Sequence, residues 1–301
     1  MAATTPATTI TRLDCPICGS NAVPVGVRES GFSGIEFRLA RCVACSYAFV
    51  RNPRVDFAAL YDDAYYAGRG ADALVDYDTE MRDPRTVRVY EWRGITRIVE
   101  DLVDLGPTTR WLDYGSGLGG LVRDVRERVG CEIVGFEEGY AGGRMDAAGV
   151  PHVTPAELAA ADGRYDVVTA IEMLEHTIDP LEVLREIHRL LVPGGVLFLT
   201  TGNAEPHRRD LTRWSYTGVP DVHVGFFEPA TLANALERAG FEVLWPGFVD
   251  GLDDVIRYKV LKSARVHRRN RLEGMLPWRT MTKVVDSRHR VSAMPAARRP
   301  V

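Results

Sequence analysis

The chain has 301 residues, 46% of them apolar and 26% charged, with a formal net charge of -4. That length buries one large core with an appendage or two, and the near-balanced charge gives no whole-protein attraction for nucleic acid. The opening MAATTPATTI has neither a basic start nor a continuous apolar run, and no later stretch is long enough to span a bilayer, so a cytoplasmic protein without membrane association is expected.

Residues 1–11 read as a flexible tail and residues 12–52 as a small ribbon. Four of the five cysteines form two C-x-x-C pairs, Cys15 with Cys18 and Cys42 with Cys45. Two such knuckles offer four thiolates to a tetrahedral structural zinc, with Zn–S distances of about 2.3 Å. Disulfides or a redox pair are the competing readings; a chain in a reducing compartment with no thioredoxin-like setting favours zinc. With four protein ligands the metal has no open position for chemistry and serves to stabilise a domain too small to fold unaided. Cys131 stands alone and is read as core filling.

Residues 53–105 form a helical lead-in or lid. Within it Val89, Trp92, Ile95, Ile98, Val99 and Leu102 recur at steps of three and four. From 106 to 250, short apolar runs alternate with helical stretches, which specifies parallel strands joined by crossover helices. The fold class is therefore α/β, doubly wound and Rossmann-like, with a mostly parallel sheet expected to have seven strands. Residues 251–301 read as a basic C-terminal helix with a final strand or tail; from 259 onward twelve Lys or Arg face only Glu273 and Asp286. A solvated helix and a frayed end are preferred there over a phosphate-binding surface.

The stretch WLDYGSGLGG, residues 111–120, fits a dinucleotide pattern through Gly115, Gly117 and Gly120. It equally fits an acid-led pattern through Asp113, Gly115, Gly117 and Gly119. In an open parallel sheet the ligand lies beyond the carboxyl ends of the strands, where strand order reverses. A carboxylate at Asp113 repels a pyrophosphate by about 1 kcal/mol or more. It attracts S-adenosylmethionine (SAM), which carries a sulfonium and an ammonium and no phosphate. Glu137, eighteen residues beyond Gly119, suits the ribose hydroxyls of either ligand. SAM is preferred over a nicotinamide dinucleotide, with Ser116, Glu138, Ile171 and Tyr66 completing the candidate cofactor contacts.

The segments LDYGSGLGG, VGFEEGY, YDVVTAIEMLEHTIDP, LVPGGVLFLTT and HVGFFEPATLANALERAGFEV resemble, in order and spacing, the motifs of class I SAM-dependent methyltransferases. The ribbon followed by LYDDAYYAGRGADALVDYDTE is similar to methyltransferases of bacterial sugar and natural-product pathways. That resemblance implies methyl transfer to a small polar acceptor, a sugar or natural-product intermediate. An alternative makes the ribbon and basic tail an apparatus for RNA modification; a NAD-dependent oxidoreductase is a third reading.

Methyl transfer to a hydroxyl or acidic carbon needs a positioned base. EMLEH offers Glu172, Glu175 and His176, which on a first helical turn fall on one face, with His176 as leading base. Adding His223 gives two carboxylates and two histidines, a set able to hold Mg²⁺ and similar to the metal site of small-RNA 2′-O-methyltransferases and ubiquinone-type O-methyltransferases. The long connection from Thr201 to Phe227 carries Arg208, Arg209, Arg213, Trp214 and Tyr216, candidates for holding an anionic or ring-shaped acceptor. The sequence leaves the oligomeric state open.

Overall fold

A computed structural model describes residues 8–72, 76–247, 249–289, 291 and 295–301. Ten strands are described: β1 (Ala22–Glu29), β2 (Glu36–Cys42), β3 (Ala48–Val50), β4 (Arg110–Tyr114), β5 (Glu132–Phe136), β6 (Tyr165–Ile171), β7 (Leu191–Thr200), β8 (Gly225–Phe226), β9 (Glu242–Leu244) and β10 (Ala296–Arg298). Six form the main sheet in the order β5-β4-β6-β7-β10-β9. Strands β5, β4, β6 and β7 are mutually parallel, while β10 runs antiparallel to both β7 and β9. The chain leaves β4 toward β5 and returns on the other side through β6, so strand order reverses at the carboxyl end of β4.

Among the described residues the sheet has six strands, not the expected seven. Beyond β5 lies only an isolated parallel bridge, Gly135 to His152, flanked by bonds from Gly135 N to Pro151 O and from Val153 N to Gly135 O. Pro151 has no N–H to donate, and Thr154 already caps the helix Pro155–Ala160 with a complete capping box. Too few residues remain between them for a strand.

The helix Arg88–Leu102 buries Ile95, Ile98 and Val99, three of its six periodic apolar positions, against the sheet. Its Gly94 admits the helix Leu252–Ser263 at close range, since a Cβ there would lie 2.9 Å from the backbone nitrogen of Val255. That crossing brings the basic C-terminal segment beside the carboxyl ends of the strands.

The ribbon extends further than its own sequence. Strands β1, β2, β3 and β8 form a second, antiparallel sheet, and β8 comes from the 201–227 connection. Phe37, Leu39, Ala48, Val50, Leu211, Val224 and Phe226 fill one core beneath it. Asp221 accepts from Ser30 Oγ and from Arg54 Nη1 (3.3 Å), and Thr231 Oγ1 donates to the Cys45 carbonyl (3.0 Å). Of the expected tail, residues 1–7 lie outside the described residues; residues 8–11 are not free, because Thr9 bridges Arg54 and Ile10 N donates to Pro53 O. No described helix is long and apolar enough to cross a membrane.

Candidate active site

A cavity of about 2060 Å³ opens at the carboxyl ends of β4, β5 and β6, and every sequence-selected cofactor residue except Gly119 lines it. Gly115, Gly117 and Gly119 have φ of +80°, +57° and +76°, a region that side chains with a Cβ rarely occupy. A Cβ on Gly115 would stand 2.5 Å from Met173 Cγ. Gly115→Ala is expected to destabilise the protein by about 1–3 kcal/mol through both effects, read as a shift of the denaturant midpoint. Gly119 works from below the cavity, as the N-cap of the helix Gly120–Arg128.

Asp113, the penultimate residue of β4, lies opposite Thr169 of β6, and its Oδ1 accepts from Thr169 Oγ1 at 2.8 Å. Thr169 Oγ1 in turn accepts from Trp111 Nε1 at 3.0 Å. Burial raises the Asp113 carboxyl to about 7. Glu137 accepts from Gly117 N at 2.8 Å and is raised by burial to about 7 as well. Together with the exposed Glu138 they put three acids along this end of the cavity. Ser116 turns its hydroxyl toward Met145 Sδ (3.4 Å), Ile171 closes the end of β6, and Tyr66 stacks on Tyr140 with ring centroids 5.7 Å apart.

The EMLEH segment does not form the expected single helical face. Glu172 has φ +50°, and only Leu174–His176 make a 3₁₀ turn, so Glu172 leaves β6 in a different direction. Its Oε1 accepts from Lys259 Nζ at 2.8 Å, and that ammonium helps hold the carboxyl at about 2 against its burial. Glu175 is fully buried and accepts from the Tyr216 hydroxyl, while its Oε2 has no hydrogen-bond partner. Burial and the neighbouring Glu172 raise it to about 7.

His176 and His223 meet with ring centroids 4.9 Å apart, and burial lowers each to about 4, so both are neutral near pH 7. His176 Nδ1 lies 2.9 Å from the Tyr61 hydroxyl. His223 Nδ1 lies 2.9 Å from the Tyr216 carbonyl oxygen. A carbonyl only accepts, so His223 Nδ1 carries the proton and Nε2 keeps the lone pair. The two carboxylates and two histidines considered for Mg²⁺ are not gathered into one ligand set. Among the described residues the only three or more ligand groups gathered within 4.8 Å of one another are the four cysteines, and Glu172 is taken by Lys259.

In the 201–227 connection, His207, Trp214, Tyr216 and His223 stack in series, with interplanar angles of 10°, 19° and 11°. All four line the cavity. Arg208 is drawn away to Glu228, with Nε 3.0 Å from both carboxylate oxygens, and Arg209 does not line the cavity; Arg213 does. Sequence reasoning missed Tyr61, Thr169 and Lys259. The first had a signal, a tyrosine-rich helix; the other two depend on strand register and on a helix crossing.

On the ribbon, Cys15 Sγ lies 3.6 Å from Cys45 Sγ, and Cys18 Sγ lies 3.4 Å from Cys42 Sγ and 3.7 Å from Cys45 Sγ. A tetrahedral zinc with bonds of about 2.3 Å needs sulfurs about 3.8 Å apart. The four fit that ion with small adjustment.

Residues 85–244, just over half of the chain, match a family model described as a methyltransferase domain. The chain belongs to the class I SAM-dependent methyltransferases. This methyltransferase is 34% identical over 152 residues to a ubiquinone biosynthesis O-methyltransferase of Ruegeria pomeroyi, covering 44% of the chain and 60% of that protein. It is 30% identical over 179 residues to the Ruegeria sp. TM1040 protein of the same name, covering 50% of the chain and 71% of that protein. The chain thus spans less than two thirds of the first of these relatives. Its fold is also that of Haemonchus contortus phosphoethanolamine N-methyltransferase 2, solved with phosphomonomethylethanolamine and S-adenosylhomocysteine. That match has a TM-score of 0.51 and 14% identity, and covers 84% of the chain and 63% of the other.

Proposed function

We propose that this protein is a SAM-dependent O-methyltransferase that acts on a hydroxyl of a small polar acceptor, a sugar or natural-product intermediate, and that its cysteine cluster holds a structural zinc. One observation carries the reading. The acid-lined glycine turn and a wall of two neutral histidines and a buried carboxylate share a single cavity. The ubiquinone relatives' names support oxygen as the methylated atom.

Bound SAM supplies an activated methyl group, and the chain's own residues do the rest. Asp113 would hold the cationic methionine end and Glu137 the ribose hydroxyls, by the charge argument for the acid-led turn. Alignment of the acceptor oxygen with the methyl carbon provides much of the rate. His223, with its lone pair at Nε2, takes the hydroxyl proton. The Tyr216 carbonyl holds that tautomer. His176, the leading sequence candidate, already directs Nδ1 to Tyr61 and acts here as the neighbour that shapes the wall. His223→Asn is expected to lower kcat about a hundredfold or more while leaving S-adenosylhomocysteine affinity within about twofold. An unchanged kcat would remove His223 as base.

The function is tested by incubating the protein with methyl-labelled SAM and a fractionated small-molecule extract, then identifying the labelled product by mass. Label on a hydroxyl oxygen of a small molecule is the expected result. Label on RNA, or on nitrogen or carbon, would overturn the reading.

A further inference from the structure

The cavity is about twice the volume of the largest sites that hold one drug-sized ligand, about 1,000 Å³. SAM at the glycine turn therefore leaves room for a sizeable acceptor. The acids that line the cavity away from that turn are engaged: Glu80 and Glu91 by Arg88, Glu172 by Lys259, Glu175 by Tyr216, Asp179 by Arg12, Glu182 by Arg185, and Asp72 by a partner of its own. Among the described residues two lining cations have no ion pair or hydrogen bond of this kind: half-buried Lys262 on the last turn of the helix Leu252–Ser263, and exposed Arg265 two residues past its end.

Arg265 sits in an unusual place. The helix Leu252–Ser263 closes with bonds from Arg265 N to Lys262 O and from Val266 N to Leu261 O, both 2.9 Å, with Val266 and Leu261 in one apolar cluster. That is the Schellman arrangement, whose left-handed position favours glycine. Here it is filled by arginine at φ +56°, a conformation that costs about 1–2 kcal/mol relative to the ordinary helical region. Ending the helix needs no side chain there. The side chain present lines the cavity.

We infer that Lys262 and Arg265 form the seat for a phosphate group carried by the acceptor, so that the substrate class is a phosphorylated hydroxyl compound. Two cations three residues apart at one helix end suit a doubly charged anion better than a carboxylate, and the stacked rings of Trp214 and Tyr216 line the same cavity as this pair and His223. The inference rests on the methyltransferase reading for the identity of the acceptor, and on the two side chains alone for the presence of an anion site.

The test is calorimetric titration of zinc-loaded full-length protein with inorganic pyrophosphate at low ionic strength, with and without saturating S-adenosylhomocysteine. Saturable one-to-one binding is expected. Lys262→Gln and Arg265→Gly should each weaken it about tenfold. Because glycine is the favoured residue at that helix end, Arg265→Gly should keep or raise the melting temperature, which separates loss of the seat from loss of the fold. No saturable binding, equal affinity in the variants, or equally tight binding of acetate would each overturn the inference. Failure to bind S-adenosylhomocysteine would instead overturn the methyltransferase reading, and the pyrophosphate titration of unloaded protein would still report on the seat.

Discussion

Stripping metal from the cysteine cluster with a chelator is expected to disorder more than the ribbon. Zinc in such sites contributes about 10–16 kcal/mol of apparent binding energy to folding, and a four-cysteine cluster with three of its sulfur pairs 3.4–3.7 Å apart has the matching geometry. The ribbon sheet includes β8, which follows His223 by two residues; just before it, the Val224 carbonyl accepts from Val50 N at 2.9 Å and Val224 N donates a 2.8 Å bond to the Glu175 carbonyl. Ser30 and Arg54 hold Asp221 from the ribbon side. Loss of zinc should therefore raise hydrogen exchange across 214–227 by an order of magnitude or more and abolish methyl transfer, with far smaller changes in 110–120. Cys42→Ser should reproduce this. Exchange that increases only within 12–52 would show that the ribbon does not support the acceptor wall.

The second large effect is on cofactor binding. Asp113 and Glu137 are both raised to about 7 by burial, so near neutral pH each is partly protonated before a ligand arrives. A sulfonium and an ammonium beside them favour the ionised forms, so binding releases protons. SAM affinity should accordingly rise as pH increases from about 6 to about 8 and level off above that. Asp113→Ala should weaken SAM about tenfold to a hundredfold, as expected for loss of a charged partner, and should flatten part of the pH dependence. The sign for stability is opposite. Both carboxyls have folded pKa values above their unfolded ones, so the unliganded protein holds these protons more tightly than the unfolded chain and loses stability as pH rises from about 4 to about 7. Cofactor binding restores it over that same range.

Much of this was legible in the sequence because it depends on local spacing. The two C-x-x-C pairs, the glycine turn with its leading acid, and the alternation of strands and helices are short-range patterns, and each corresponds to an element of the fold. What was not legible depends on contacts between distant segments. The missing strand beyond β5 follows from Pro151 and from the cap at Thr154 crowding a short apolar run. Glu172 departs from the EMLEH helical face because it takes a left-handed φ and meets Lys259, eighty-seven residues away. The merging of β8 into the ribbon sheet depends on pairing between residues 48–49 and 225–226. No periodicity within either segment announces it.

The most direct measurement is a pair of calorimetric titrations of the zinc-loaded protein, one with SAM and one with NAD⁺, repeated with Asp113→Ala. Saturable one-to-one binding of SAM that weakens in the variant, with no heat from NAD⁺, is the expected result. Binding of NAD⁺ in place of SAM, strengthened when the carboxylate is removed, would contradict it.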